Sequence, residues 1–148
     1  MSEIGNFFWF ILGGGFMGLA WWLSGFLAII TIYGIPWAKS CFVIGYFSFL
    51  PFGKEAINRK LLTEQDDIGT GSLGKAGNLI WLIFAGIWLA LGHVMFAAVC
   101  FISILGIPFG IQHLKLAGLA LAPIGQTIVA KEVAVAARNR HAQTKLSK

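Results

Sequence analysis

Six polar side chains stand in long apolar surroundings: Lys39, Ser40, His93, Gln112, His113 and Lys115. An ionisable group inside a membrane segment is costly, so such a set reads first as a pore or polar path for ions or protons. His93 suits proton relay, because a free imidazole titrates at about pH 6.5. Plainer roles compete with each. A lysine near the end of a span can lay its stem along lipid and lift its amine to the interface, and a buried histidine can bond a neighbouring helix. The sequence carries no carboxylate pair within the apolar runs, no nucleophile with a base at motif spacing and no metal cluster. No catalytic, cofactor-binding or metal site is therefore expected, and the chain does not read as an enzyme. Cys41 and Cys100 lack the spacing of a redox or metal pair and read as buried thiols. The run Gly13-Gly14-Gly15 sits inside an apolar stretch rather than after a strand, so it is no phosphate loop.

The elements that must position these residues are membrane helices. Of 148 residues, 57% are hydrophobic and only 11% charged, more apolar surface than a soluble domain of this size can hide. Phe7 to Tyr33 holds no Asp, Glu, Lys, Arg or His, and Leu79 to Ile111 holds only His93 of these. Both runs exceed the roughly 18 residues that mark a span. The first far exceeds the apolar core of a secretory signal and is expected to be retained. The net charge of +5 suggests nucleic acid only until the cations are placed. Lys54, Arg59, Lys60 and Lys75 lie in the central polar segment, and Lys131, Arg138, Arg140, Lys145 and Lys148 in the tail. That is the distribution of the positive-inside rule, which places loop and C-terminus in the cytoplasm and leaves no nucleic acid among the expected partners.

Shifting the sequence by 72 residues aligns Gly5 to Lys54 with Gly77 to Gln126 without a gap. Gly5-Asn6-x-x-Trp9 matches Gly77-Asn78-x-x-Trp81, Gly34-Ile35-Pro36 matches Gly106-Ile107-Pro108, and Pro51-x-Gly53 matches Pro123-x-Gly125. Asn6 and Asn78 fit helix N-caps, and Trp9, Trp37 and Trp81 fit interfacial anchors. Between the landmarks, Gly14, Gly18 and Gly25 share a helix face, as do their partners Gly86, Ala90 and Ala97. Such smooth faces pack helices closely in lipid. Pro36 and Pro108, with Gly34 and Gly106 before them, either kink a helix or end one.

This doubled pattern resembles the YccF family of small bacterial inner-membrane proteins over roughly Gly5 to Ala130. The resemblance implies a paired inner-membrane component domain and a location in the bacterial inner membrane, and supplies no catalytic residues. The expected fold is all-α: two tandem parallel repeats (5–54 and 77–126), each a helical hairpin with a Gly-Ile-Pro break, joined by a polar linker (55–76) and followed by a basic tail (127–148) with helix-forming residues. Each apolar block, Phe7 to Phe52 in the first repeat, holds 46 residues, about 69 Å of helix and enough for two crossings of roughly 30 Å, hence four in all. The alternative makes the second half of each block a re-entrant half-helix and inverts the repeats. For function, the expectation is a homo-oligomer in the lipid bilayer forming a pore or permeation route. The other class is a non-conducting scaffold for an unidentified membrane or cytoplasmic protein partner, or for lipids.

Overall fold

Each apolar block turns back on itself as a helical hairpin. In the first, α1 (Ser2–Trp9), a kink (Phe10–Gly14) and α2 (Gly15–Ile30) form a long arm, and α3 (Ile35–Phe49) returns beside it. Strand β1 (Lys54–Asn58) and the short α4 (Arg59–Thr63) follow. The second hairpin repeats the plan with α5 (Ser72–Trp81), a π-helical turn (Leu82–Gly86), α6 (Ile87–Cys100), a 3-10 turn (Ile104–Gly106) and α7 (Ile107–Leu121). The chain ends in β2 (Gln126–Ala130) and α8 (Lys131–Leu146). This computed structural model describes residues 2–31 and 34–147; Met1, Ile32, Tyr33 and Lys148, one of the tail's basic residues, lie outside the described part.

The Gly-Ile-Pro segments start the returning helices, α3 at Ile35 and α7 at Ile107, after the outgoing helices have ended at Ile30 and Cys100. A proline stands second in each returning helix, where a missing N–H costs nothing. Glycine precedes because the chain passes its own backbone closely: a Cβ on Gly34 would lie 2.5 Å from the Ala28 carbonyl oxygen, and one on Gly106 would overlap Cys100. Glu3–Ile30, Ser72–Cys100 and Ile104–Leu121 are long and apolar enough to cross a membrane. With 15 residues, α3 is about 22 Å long and falls short of the roughly 30 Å hydrocarbon layer.

Within each hairpin the small residues face inward. Gly18 lies under the Phe49 ring and Gly25 against Cys41 and Phe42, while Phe16, Leu19, Leu23 and Phe26 point out. Large side chains outside and small ones inside suit a lipid surround, where helices gain stability by close backbone approach.

The all-α expectation is corrected by a two-stranded sheet. β1 and β2 pair antiparallel, from Lys54 with Ala130 to Asn58 with Gln126. Residues expected as linker and as the start of a tail helix are therefore strands. Neither strand is stable by itself, and a two-stranded ribbon needs packing; α8 supplies it by laying Ala134 and Ala137 on Ile57. Ion pairs tie the layer together at 2.6 Å for Arg138–Glu55 and 2.9 Å for Arg140–Glu64.

Ala56 pairs with Ile128, its own counterpart in the repeat, so a pseudo-two-fold axis passes between them. The hairpins obey the same axis and run antiparallel. Phe52, at the base of the first, packs on Phe109, just past the turn of the second, with ring centroids 5.7 Å apart. Trp37, just past the first turn, packs on Gly77 at the base of the second.

Candidate functional site

The polar residues of the sequence separate into two places. His93 and His113 meet at the centre between the hairpins, both fully buried. The Trp21 indole N–H donates to His93 Nε2 at 3.2 Å, His93 Nδ1 and His113 Nδ1 are 3.0 Å apart, and His113 Nε2 lies 3.4 Å from the Leu12 carbonyl oxygen. Donor and acceptor accounting fixes one arrangement. His93 Nε2 accepts, so its Nδ1 carries the proton and donates to His113 Nδ1; His113 in turn donates from Nε2 to Leu12. Every hydrogen-bonding atom is satisfied with both rings neutral.

Three aromatic residues seal this network. Trp9 lies 4.2 Å from the His113 ring, Phe96 stacks on it at 5.4 Å, and Trp21 stacks on Trp81 at 5.9 Å. The Leu12 end depends on a local break. Leu12 and Gly13 leave helical geometry, Gly13 with φ +115°, and a Cβ there would overlap the Phe96 ring. Only glycine meets both demands. Chemically the network is closed. An indole N–H stands at one end and an amide carbonyl at the other, and His93 bonds α6 to both α2 and α7.

Around this centre each hairpin is clamped by its Asn-x-x-Trp motif. Trp9 Nε1 donates to the Ser48 carbonyl at 2.6 Å and Trp81 Nε1 to that of Ala120 at 2.9 Å. These carbonyls belong to the last turns of α3 and α7, which lack intrahelical donors. The Asn6 side chain accepts from Phe52 N at 3.0 Å; that of Asn78 accepts from Ile124 N at 2.9 Å and donates to Ile124 O at 3.1 Å. Both asparagines are therefore clamps inside helices rather than N-caps, and Trp9 and Trp81 are buried rather than interfacial. Trp37 is half-buried beside Gly77. Gly14 and Gly86 are small because the Trp9 and Trp81 indoles fold over them. Ala90 and Ala97 are buried in α6. The Pro-x-Gly motifs close the clamped loops: Lys54 N donates to Pro51 O and Gln126 N to Pro123 O, and Gly53 and Gly125 supply the positive φ of such a turn.

The second place is an open cavity of about 680 Å³ between α7 and the ribbon. Gln112 and Lys115 line it with Lys54, Glu55 and Lys131. Lys39 is exposed and Ser40 half-buried in the first turns of α3, and neither lines that cavity. The Arg138 guanidinium holds the Glu55 carboxyl below its ordinary range, with Lys115 and Lys131 adding to the effect. Arg59, just past the end of β1, does the same for Asp67, aided by the Gly69 and Thr70 N–H groups. Sequence reasoning missed Trp21 as His93's partner and the residues of β1, although Trp21 and His93 occupy equivalent repeat positions.

Residues 4–54 and 76–126 each match the family model YccF, described as an inner membrane component domain. The chain is 38% identical over 147 residues, 97% of either chain, to the inner membrane protein YccF of Escherichia coli (strain K12), and likewise to that of Shigella flexneri. No solved structure matches it.

Proposed function

The chain belongs to the YccF family of inner-membrane proteins, and from that premise we propose that it is a non-conducting scaffold, embedded from the cytoplasmic face, that presents a folded polar platform to partner proteins or lipids. The observation that carries this reading is the closed Trp21–His93–His113–Leu12 network, in which protein partners meet the hydrogen bonds of both central histidines and which supports a centre without an aqueous path.

The polar layer supports the sidedness. Because β1 pairs with β2, the segments after both hairpins share one side of the membrane, and an even number of crossings separates them. Their lysines and arginines favour the cytoplasm. With the pseudo-two-fold axis set along the membrane normal the repeats share one membrane orientation, while the hairpins, strongly inclined to that axis, point in opposite directions across it. The turns support an embedded rather than an emergent tip. Ile102, Ile104 and Leu105 are each 85% exposed, which suits lipid, and the Ser103 hydroxyl accepts locally from Gly106 N. With Cys41 and Cys100 replaced by alanine, a cysteine at Ser103 should resist a membrane-impermeant maleimide from either side in folded protein; labelling from the outer side would defeat the one-sided reading.

A second reading keeps a permeation route, built between copies of the chain. The exposed Lys39 and the cavity holding Gln112 and Lys115 favour it. Ion and small-solute flux in liposomes decides between them. The scaffold gives no flux above empty vesicles, whereas flux that changes in Lys39→Ala/Lys115→Ala supports the route.

A further inference from the structure

We propose that the cavity between α7 and the ribbon binds the headgroup phosphate of an anionic phospholipid, with the acyl chains leaving along α7. The site rests on the cytoplasmic placement of the ribbon argued above, but not on the absence of conduction.

Charge is the first argument. Lys54, Lys115 and Lys131 come from three separate elements and line one cavity. The carboxylate among them, Glu55, is taken by Arg138 at 2.6 Å. Among the described residues none of the three lysines has a carboxylate partner within 4.0 Å. Lys54 is held 4.8 Å over the Tyr46 ring, which leaves its ammonium available to an anion from the open side. Basic pockets beside membrane helices attract anionic headgroups in this way.

Shape is the second. Gln112, Lys115 and Leu119 lie on one face of α7 by helical spacing, so the polar end of the cavity grades into an apolar floor along the same helix. Leu119 and Phe47 line that floor, and nothing lies within 4 Å of a Cβ placed on Gly118. A free phosphate would use the lysines and leave the floor empty, whereas a phospholipid uses both.

The test is thermal unfolding of the purified full chain in neutral detergent, titrated with phosphatidylglycerol, phosphatidylcholine or inorganic phosphate. Phosphatidylglycerol should raise the midpoint, and the other two should leave it in place. Lys54→Gln/Lys115→Gln/Lys131→Gln should weaken the apparent affinity on the order of a hundredfold, while Lys75→Gln/Lys145→Gln keeps it. Circular dichroism establishes that the triple variant is folded, and native mass spectrometry of retained lipid gives a second readout. Undiminished phosphatidylglycerol binding by the triple variant, an equal shift with phosphatidylcholine, or a shift reproduced by inorganic phosphate would each overturn the proposal. Binding is read here without flux, so a failure of this site and a failure of the scaffold reading are told apart.

Discussion

Repeat one places Gly13, Trp21, Cys41 and Ser48 where repeat two places Ala85, His93, His113 and Ala120. The clamps, by contrast, are kept twice: Asn6 and Asn78, Trp9 and Trp81, Gly53 and Gly125 make equivalent bonds and turns. For Trp21 and His93 the difference follows from where the pseudo-two-fold axis runs. Away from the axis a residue meets something other than its counterpart, so both copies can keep the same side chain. At the axis a residue meets its own counterpart, as Trp21 meets His93. Two tryptophans there would bring two donors together with no acceptor, whereas tryptophan and histidine make one bond. A duplicated frame thus keeps its hairpins alike and lets its centre diverge.

The largest effect is expected where the divergence involves the backbone. Gly13→Ala should cost about 3 kcal/mol, from the left-handed φ and the overlap with Phe96, while Ala85→Gly costs less than about 1 kcal/mol. Unfolding in micelles followed by tryptophan fluorescence measures both, and similar losses would mean that the break in repeat one is not specific. Next comes His113→Cys, which makes the centre of repeat two resemble repeat one. It leaves the His93 Nδ1–H without an acceptor and should cost about 2 kcal/mol; no loss would show that the two rings are not bonded.

A smaller change in the opposite direction is expected at Ser48, whose buried hydroxyl has no hydrogen-bond partner among the described residues. Ser48→Ala copies repeat two, keeps the carbonyl bond to Trp9 and should stabilise by up to about 1 kcal/mol. The smallest effect lies outside the hairpins. The Glu55 carboxyl is held below its unfolded value by Arg138, so the pair stabilises above the ordinary carboxylate range and is lost as pH falls through the folded value. Such a half-exposed pair contributes less than about 1 kcal/mol. Glu55→Gln should be slightly less stable at neutral pH and flatter in acid, and an unchanged acid limb would remove Glu55 from the account.

Much of the frame was legible in the residues. The 72-residue shift, the Gly-Ile-Pro turns and the inward small residues are local or periodic signals, and each hairpin is a local structure. The ribbon was not legible, because β1 finds its partner across the whole second hairpin and its short, mixed sequence has no strand signal strong enough by itself. Asn6 and Trp9 were visible as a motif but not as a clamp, since their acceptors lie on the returning helix. The antiparallel set of the hairpins likewise depends on Phe52 meeting Phe109 and Trp37 meeting Gly77, contacts that no spacing announces. His93 and His113 were visible as two polar positions but not as a pair. Lys39 with Ser40, and Gln112 with His113 and Lys115, read as one polar path, yet helical rotation turns His113 inward and Lys115 outward.

The most direct test of the closed centre is the ¹⁵N NMR spectrum of histidine-labelled protein in lipid bilayers at neutral pH, with His141→Gln removing the tail histidine. Two neutral rings of different tautomer, His93 protonated on Nδ1 and His113 on Nε2, both slow to exchange with D₂O, are what this structure predicts. Identical tautomers, a charged ring or rapid exchange at both would put water at the centre of the molecule and contradict it.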